Sequence, residues 1–179
     1  GGKSFAAAIA MQNEGSVTSC DIHAHKVSLI EKGAARLGVS IVHARQADAS
    51  QFEPEFEAGF DVVIADVPCS GLGVIRKKPD IRYKDLAPMQ KLPQVQAAIL
   101  ENVSRYVKPG GVMVYSTCTV LKRENENVAN AFLARHPEFR LEVFALPAEL
   151  DAQTDGMLTL YPHLHEADGF FICKLRKNV

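Results

Sequence analysis

Hydrophobic and polar positions along the chain fall into two recurring blocks. Short apolar runs end in an acidic or thiol residue, and longer stretches carry an apolar side chain every three or four positions. Ser16 to Ile22 is rich in β-branched residues and predicts a strand ending at Asp21. Val27, Ile30, Ala34 and Leu37 then recur at helical spacing, with Gly38 as a stop, and Val39 to Arg45 predicts a second strand before Gln46-Ala47-Asp48. Val62 to Ala65 is a continuous apolar run, the pattern of a strand covered on both faces, and it gives way to Asp66, Pro68, Cys69, Ser70, Gly71 and Gly73.

Further on, Leu92, Val95, Ile99, Val103 and Tyr106 predict a helix that tolerates Pro93 in its first turn and stops at Lys108-Pro109-Gly110-Gly111. Val112 to Ser116 is again an apolar strand that runs into a thiol, Cys118. Arg123 to Arg135 reads as an amphipathic helix with Val128, Ala131 and Phe132 inward and Glu124, Asn125 and Glu126 outward. Residues 145–168 read as an irregular surface loop, and Gly169 to Leu175 as a closing strand with Cys173 in the core.

Alternating strands and helices imply an α/β protein with a parallel, doubly wound sheet, whose ligands sit at the carboxyl edge of the strands. That edge is where Asp21, Asp48, Asp66, Cys69 and Cys118 fall. Gly1-Gly2-Lys3 reads as a glycine turn opening a helix, where backbone N–H groups face a polar or anionic ligand, or alternatively as a cloning scar. No strand precedes that turn, so the chain is expected to start inside a longer protein that supplies it. Asp21 suits the two hydroxyls of a ribose. Asp48 suits an adenine amino group, or alternatively a turn or helix cap. Cys69 taken alone is equally a small buried hydrophobe in a Pro/Gly turn.

The 179 residues predict one domain over 1–179, and the 47% hydrophobic content is that of a globular protein. No apolar run approaches the ~20 residues that cross a bilayer, and no secretory signal opens the sequence. The four cysteines lack CxxC spacing and the six histidines form no ligand set, so no metal site is expected and a reducing cytoplasm is. Net charge is −1, yet Arg76, Lys77, Lys78, Arg82 and Lys84 against Asp80 give residues 76–84 a local +4. Such a loop, with Tyr83 in it, reads either as a phosphate contact or as a merely solvated surface.

Gly1-Gly2-Lys3, Asp21, Asp48, Asp66-Val-Pro-Cys-Ser-Gly71, Ser116-Thr-Cys118 and Asp168-Gly-Phe-Phe-Ile172 together resemble the RNA 5-methylcytosine methyltransferases, most of all the bacterial Sun/Fmu type acting on small-subunit ribosomal RNA. The resemblance covers the whole chain in order. It implies a Rossmann-like fold of seven strands with the last antiparallel, the first being absent from this chain, and S-adenosylmethionine as methyl donor. It also implies that Gly1, Gly2 and Lys3 close the methionine loop, that Asp21 binds the ribose and that Asp48 contacts the adenine. Asp66 would hold both cofactor and cytosine, Cys118 would be the nucleophile, and Cys69 would serve product release. Arg76, Lys77, Lys78, Arg82, Tyr83 and Lys84 would grip the RNA. Val67 in place of the usual Ala, and Arg123 in a stretch usually more acidic, depart from the family pattern.

The paired thiols suit that chemistry. Cytosine C5 is a poor nucleophile, and thiolate addition at C6 gives it enamine character. Asp66 could act as an acid toward the ring or as an acceptor from its amino group. An adenine N6 methyltransferase needs no thiol, a DNA cytosine-5 enzyme would leave Cys118 unexplained, and an RNA-binding module without turnover is the reading from another class.

Overall fold

The computed structural model describes every residue except Leu86, Ala148, Glu149 and 151–153, and the chain divides into two compact units, Gly1–Gln51 and Phe52–Val179. In the N-terminal unit, α1 (Gly2–Ala10) and α2 (Ala24–Leu37) accompany a parallel pair of strands, β1 (Val17–Asp21) and β2 (Val42–Gln46). Ala8, Ala34, Val39 and Ile41 are its buried core, with Phe5, Val17 and Val42 packed against them. Gly38 ends α2 in the left-handed region, as its position predicts. Gly33 breaks the helical pattern for a packing reason: a Cβ there would stand 2.5 Å from the Phe5 ring. Of the predicted stripe on α2, Ile30 and Ala34 are buried, whereas Leu37 in the last turn is exposed.

The C-terminal unit is built on β3 (Phe60–Asp66), β4 (Val107–Thr117), β5 (Phe139–Leu141), β6 (Met157–Leu160) and β7 (Phe170–Lys177). β3 and β4 are parallel, and β7 runs antiparallel to β4, β5 and β6. Helices α3 (Leu92–Val103) and α4 (Glu126–Arg135) pack on each other, and their side chains join those of β4 and β7 in one core. Leu100, Met113, Tyr115, Phe132, Phe171, Cys173 and Leu175 are almost completely buried there.

Five expectations are corrected. Val62 and Ile64 are 54% and 47% exposed, because β3 lies at the end of its sheet and only its Val63–Ala65 face meets the core. Val95 is exposed, and the buried face of α3 is Gln96, Ile99, Leu100, Asn102 and Val103, so two polar residues occupy core positions. Lys108 to Gly111 does not end a helix. α3 stops at Val103, and the four residues form a bulge inside β4, where pairing with β3 jumps from Phe60–Val107 to Val62–Val112 and Gly110 takes φ +74°. Glu124 and Asn125 are fully buried instead of outward, while Ala131 is exposed. Finally, the stretch read as a loop contains β6, paired with β7, and a short helix, α5 (Pro162–His165); its residues 148, 149 and 151–153 lie outside those described.

Candidate active site

β3 and β4 are adjacent and parallel, with Asp66 opposite Ser116, so their carboxyl ends emerge side by side. Each then turns into a cysteine: Cys69 three residues beyond Asp66, and Cys118 one residue past the end of β4. The two half-buried sulfurs stand 3.1 Å apart, and the Cys118 backbone N–H donates to the Cys69 sulfur at 3.3 Å. The hydrogen bond with Cys118, followed by burial and by the charge of its neighbour, pushes the Cys69 thiol far up, so Cys69 keeps its proton. The pair therefore behaves as two sulfurs sharing a limited capacity for charge. Asp66 is exposed at the end of β3 and accepts the Ser116 hydroxyl at 3.0 Å.

The basic loop is a built structure. It starts with Gly71 in the left-handed region, passes through short 3₁₀ turns at Leu72–Val74 and Pro79–Tyr83, and is anchored by buried Ile81. The Gly73 N–H donates to the Cys118 carbonyl at 3.0 Å, and the Gly169 N–H donates to the Gly73 carbonyl at 2.8 Å. A Cβ on Gly73 would come within 2.0 Å of the Gly169 carbonyl oxygen, a backbone atom that cannot swing aside. Gly73→Ala is accordingly expected to cost roughly 3 kcal/mol, the upper end for overpacking, read from the urea midpoint. Asp168 pairs with Lys77 at 2.6 Å and with Arg76 at 3.8 Å, so two of the five predicted phosphate ligands are already engaged within the protein. Lys78, Arg82 and Lys84 are exposed, and Tyr83 is 87% exposed.

The cofactor candidates other than Asp66 belong to the N-terminal unit. Asp21 closes β1, accepts the His23 N–H at 2.9 Å through Oδ1 and lies 3.6 Å from Lys26 through Oδ2. Asp48 follows β2 and accepts both the backbone N–H and the hydroxyl of Ser50 on Oδ1, bonds that hold its carboxyl below the usual range. The turn role is thus realised for one oxygen, while Oδ2 makes no hydrogen bond among the described residues. Gly2, in the first turn of α1, would bring a Cβ into open space, so its backbone is approachable and the first-turn N–H groups lack intrahelical partners. Two carboxylates beyond parallel strands plus a helix N-terminus fit a nucleoside with an amino-acid tail, which is what S-adenosylmethionine is. Gly1, Gly2, Lys3, Asp21 and Asp48 would hold it, and it would bring an electrophilic methyl group.

Sequence reasoning missed four residues that shape this site: Gln96, Glu124, Asn125 and Ser116. The available signal was position. Glu124 and Asn125 sit where a strand end turns into a helix, and there a polar side chain serves the backbone of a turn as readily as it meets solvent.

Among relatives, a probable ribosomal RNA small subunit methyltransferase B from Bacillus subtilis is 45% identical over 99% of this chain and 41% of its own length. A ribosomal RNA small subunit methyltransferase F from Erwinia tasmaniensis is 33% identical over 99% of this chain and 38% of its own. The chain thus spans about two fifths of the length of the curated relatives it matches. Among solved structures, PH0851 superposes with a TM-score of 0.89 at 34% identity, covering 99% of this chain and 40% of that one. NSun6 from Pyrococcus horikoshii, solved with SFG, superposes with a TM-score of 0.80 at 29% identity, covering 99% and 45%. These likenesses identify the fold as the Rossmann-like α/β fold of S-adenosylmethionine-dependent methyltransferases, with β7 as its antiparallel strand. The family model described as 16S rRNA methyltransferase RsmB/F matches residues 1–176, and the chain belongs to that family.

Proposed function

We propose that this protein methylates C5 of a cytosine in RNA, with Cys118 as nucleophile and small-subunit ribosomal RNA as substrate. The observation that carries the proposal is the 3.1 Å approach of two thiols that lie 49 residues apart in sequence. One thiol would suffice for addition alone, and a second beside it suits a reaction that must also undo the adduct.

The Cys118 thiolate adds to C6, and the displaced ring electrons accumulate on N3 and O2 while C5 becomes enamine-like. S-adenosylmethionine, when bound, supplies the sulfonium methyl that C5 takes up. From its addition to C6 onward the Cys118 sulfur is a thioether without charge or proton to share. Two of the three influences that hold the Cys69 proton, the hydrogen bond and the charge of Cys118, vanish at that moment, and burial remains. Cys69 can then give up its own proton to solvent, and the resulting thiolate takes the proton from C5. The C–H electron pair forms the C5–C6 double bond, and the C6–S bond breaks to return Cys118 as thiolate. Asp66, exposed and already accepting from Ser116, suits the role of acceptor for the cytosine amino group. A stacked base cannot reach the sulfurs, so the target is flipped out or single-stranded. A cytoplasmic setting goes with a ribosomal substrate.

Lys78, Arg82, Lys84 and Tyr83 form the RNA grip together with Arg76 and Lys77, which are equally exposed but already paired with Asp168. Replacing Lys78, Arg82 and Lys84 by alanine together should lower the slope of log K against log salt by about 2, at ~0.7 per phosphate contact on a single strand. A filter-binding titration at several salt concentrations reads this, and an unchanged slope would remove the loop from the interface. The function itself is tested with the full-length protein, methyl-labelled cofactor and unmodified 16S rRNA, followed by nucleoside mass spectrometry. 5-Methylcytosine is expected; a methyl group on any other atom, or none, overturns the proposal.

A further inference from the structure

Glu124 is fully buried, and no lysine or arginine among the described residues pairs with it. Its Oε2 accepts the Ser70 N–H at 2.8 Å and the Gln96 side-chain amide at 3.2 Å. Gln96, equally buried, donates a second bond to the Pro68 carbonyl at 3.0 Å. The residues on both sides of Cys69 are therefore tied to one carboxylate, directly or through one amide. The same segment holds the other thiol. Tyr115 donates to the Glu124 backbone carbonyl, and the next residue, Asn125, accepts the Thr117 hydroxyl at 2.6 Å and donates to the Thr119 carbonyl at 3.0 Å. Ser70 and Thr119 close the ring through their hydroxyls at 2.8 Å.

We propose that Glu124 is the positioning residue that fixes the separation of the two cysteine sulfurs. An uncompensated buried carboxylate is a costly way to fill a core, and an apolar side chain of the same size would fill it better. What that side chain could not do is accept from the turn that carries Cys69. Gln96 enters the same knot from α3, which explains a polar residue in the helix's buried row. The inference rests on the proposed chemistry for its catalytic consequence, while its geometric content is independent of it.

The test uses the full-length protein and oxidised glutathione as probe. Disulfide formation between Cys69 and Cys118 oxidises two protein thiols and reduces one glutathione disulfide to two thiols. Its rate, followed by peptide mass mapping below the melting transition, reports how often the sulfurs meet. Glu124→Gln, which keeps an acceptor for Ser70, should close the disulfide at the wild-type rate. Glu124→Met should close it severalfold more slowly and lose about a hundredfold in kcat, the scale for a ~1 Å misplacement, with KM for RNA nearly unchanged. A merely structural Glu124 would shift the melting temperature and leave the disulfide rate alone, and that result overturns the proposal. If Glu124→Met does not fold, Gln96→Met, which removes the bonds of Gln96 to Pro68 and to Glu124 and leaves the Ser70 bond in place, is expected to slow closure in the same direction, and a wild-type rate there overturns it. A wild-type protein that methylates no cytosine, with disulfide closure still dependent on Glu124, would sink the proposed function and leave the positioning role standing.

Discussion

A Cys118→Ser protein should transfer no methyl group to RNA, with a loss on the order of 10⁴-fold or more, the scale for removing a catalytic nucleophile. The hydroxyl that replaces the thiol is a far weaker nucleophile toward C6, because an alcohol stays protonated where a thiol ionises. Cys118 is not among the candidate cofactor ligands Gly1, Gly2, Lys3, Asp21, Asp48 and Asp66, so cofactor affinity by calorimetry should stay near the wild-type value. Turnover near the wild-type rate would exclude Cys118 as nucleophile.

Cys69→Ser should have the opposite signature. Addition and methyl uptake remain possible, but the group that takes the C5 proton is missing, so the enzyme stays attached to its product. A slow-migrating RNA–protein band on a denaturing gel is expected for Cys69→Ser, and none for the double replacement with Cys118→Ser. The pH dependence follows from burial, the influence that still holds the proton on Cys69 in the adduct. Removing protons favours the form that accepts from C5, so wild-type adduct should resolve faster as pH rises, with no such gain in the variant. If Cys69→Ser turns over without accumulating adduct, the release role belongs elsewhere.

The two strand ends were legible because an apolar run that stops at an acid, a proline and a thiol has few other uses, and Asp66–Cys69 and Ser116–Cys118 both carry that signature. Burial was less legible. Val62 and Ile64 look like core by composition, yet whether a strand has one covered face or two depends on its place in the sheet. Glu124, Asn125 and Gln96 failed for the converse reason. Amphipathic patterning sends polar residues to solvent, and it has no means of knowing that two turns nearby present N–H and C=O groups in need of partners. The glycines of Lys108–Gly111 likewise announced a departure from regular backbone, without saying that the departure would be a bulge inside a continuing strand.

The backbone crossing of Gly73 against Gly169 and the Cys118 carbonyl divides the basic loop into two parts with different freedom to change. Residues from Lys78 to Lys84 extend into solvent apart from Ile81, and under the proposed function could be exchanged, lengthened or grafted from a relative to redirect methylation toward another RNA. Gly71 to Gly73 form the hinge pin of that graft, and any redesign that tampers with them disturbs the reacting sulfur together with the grip.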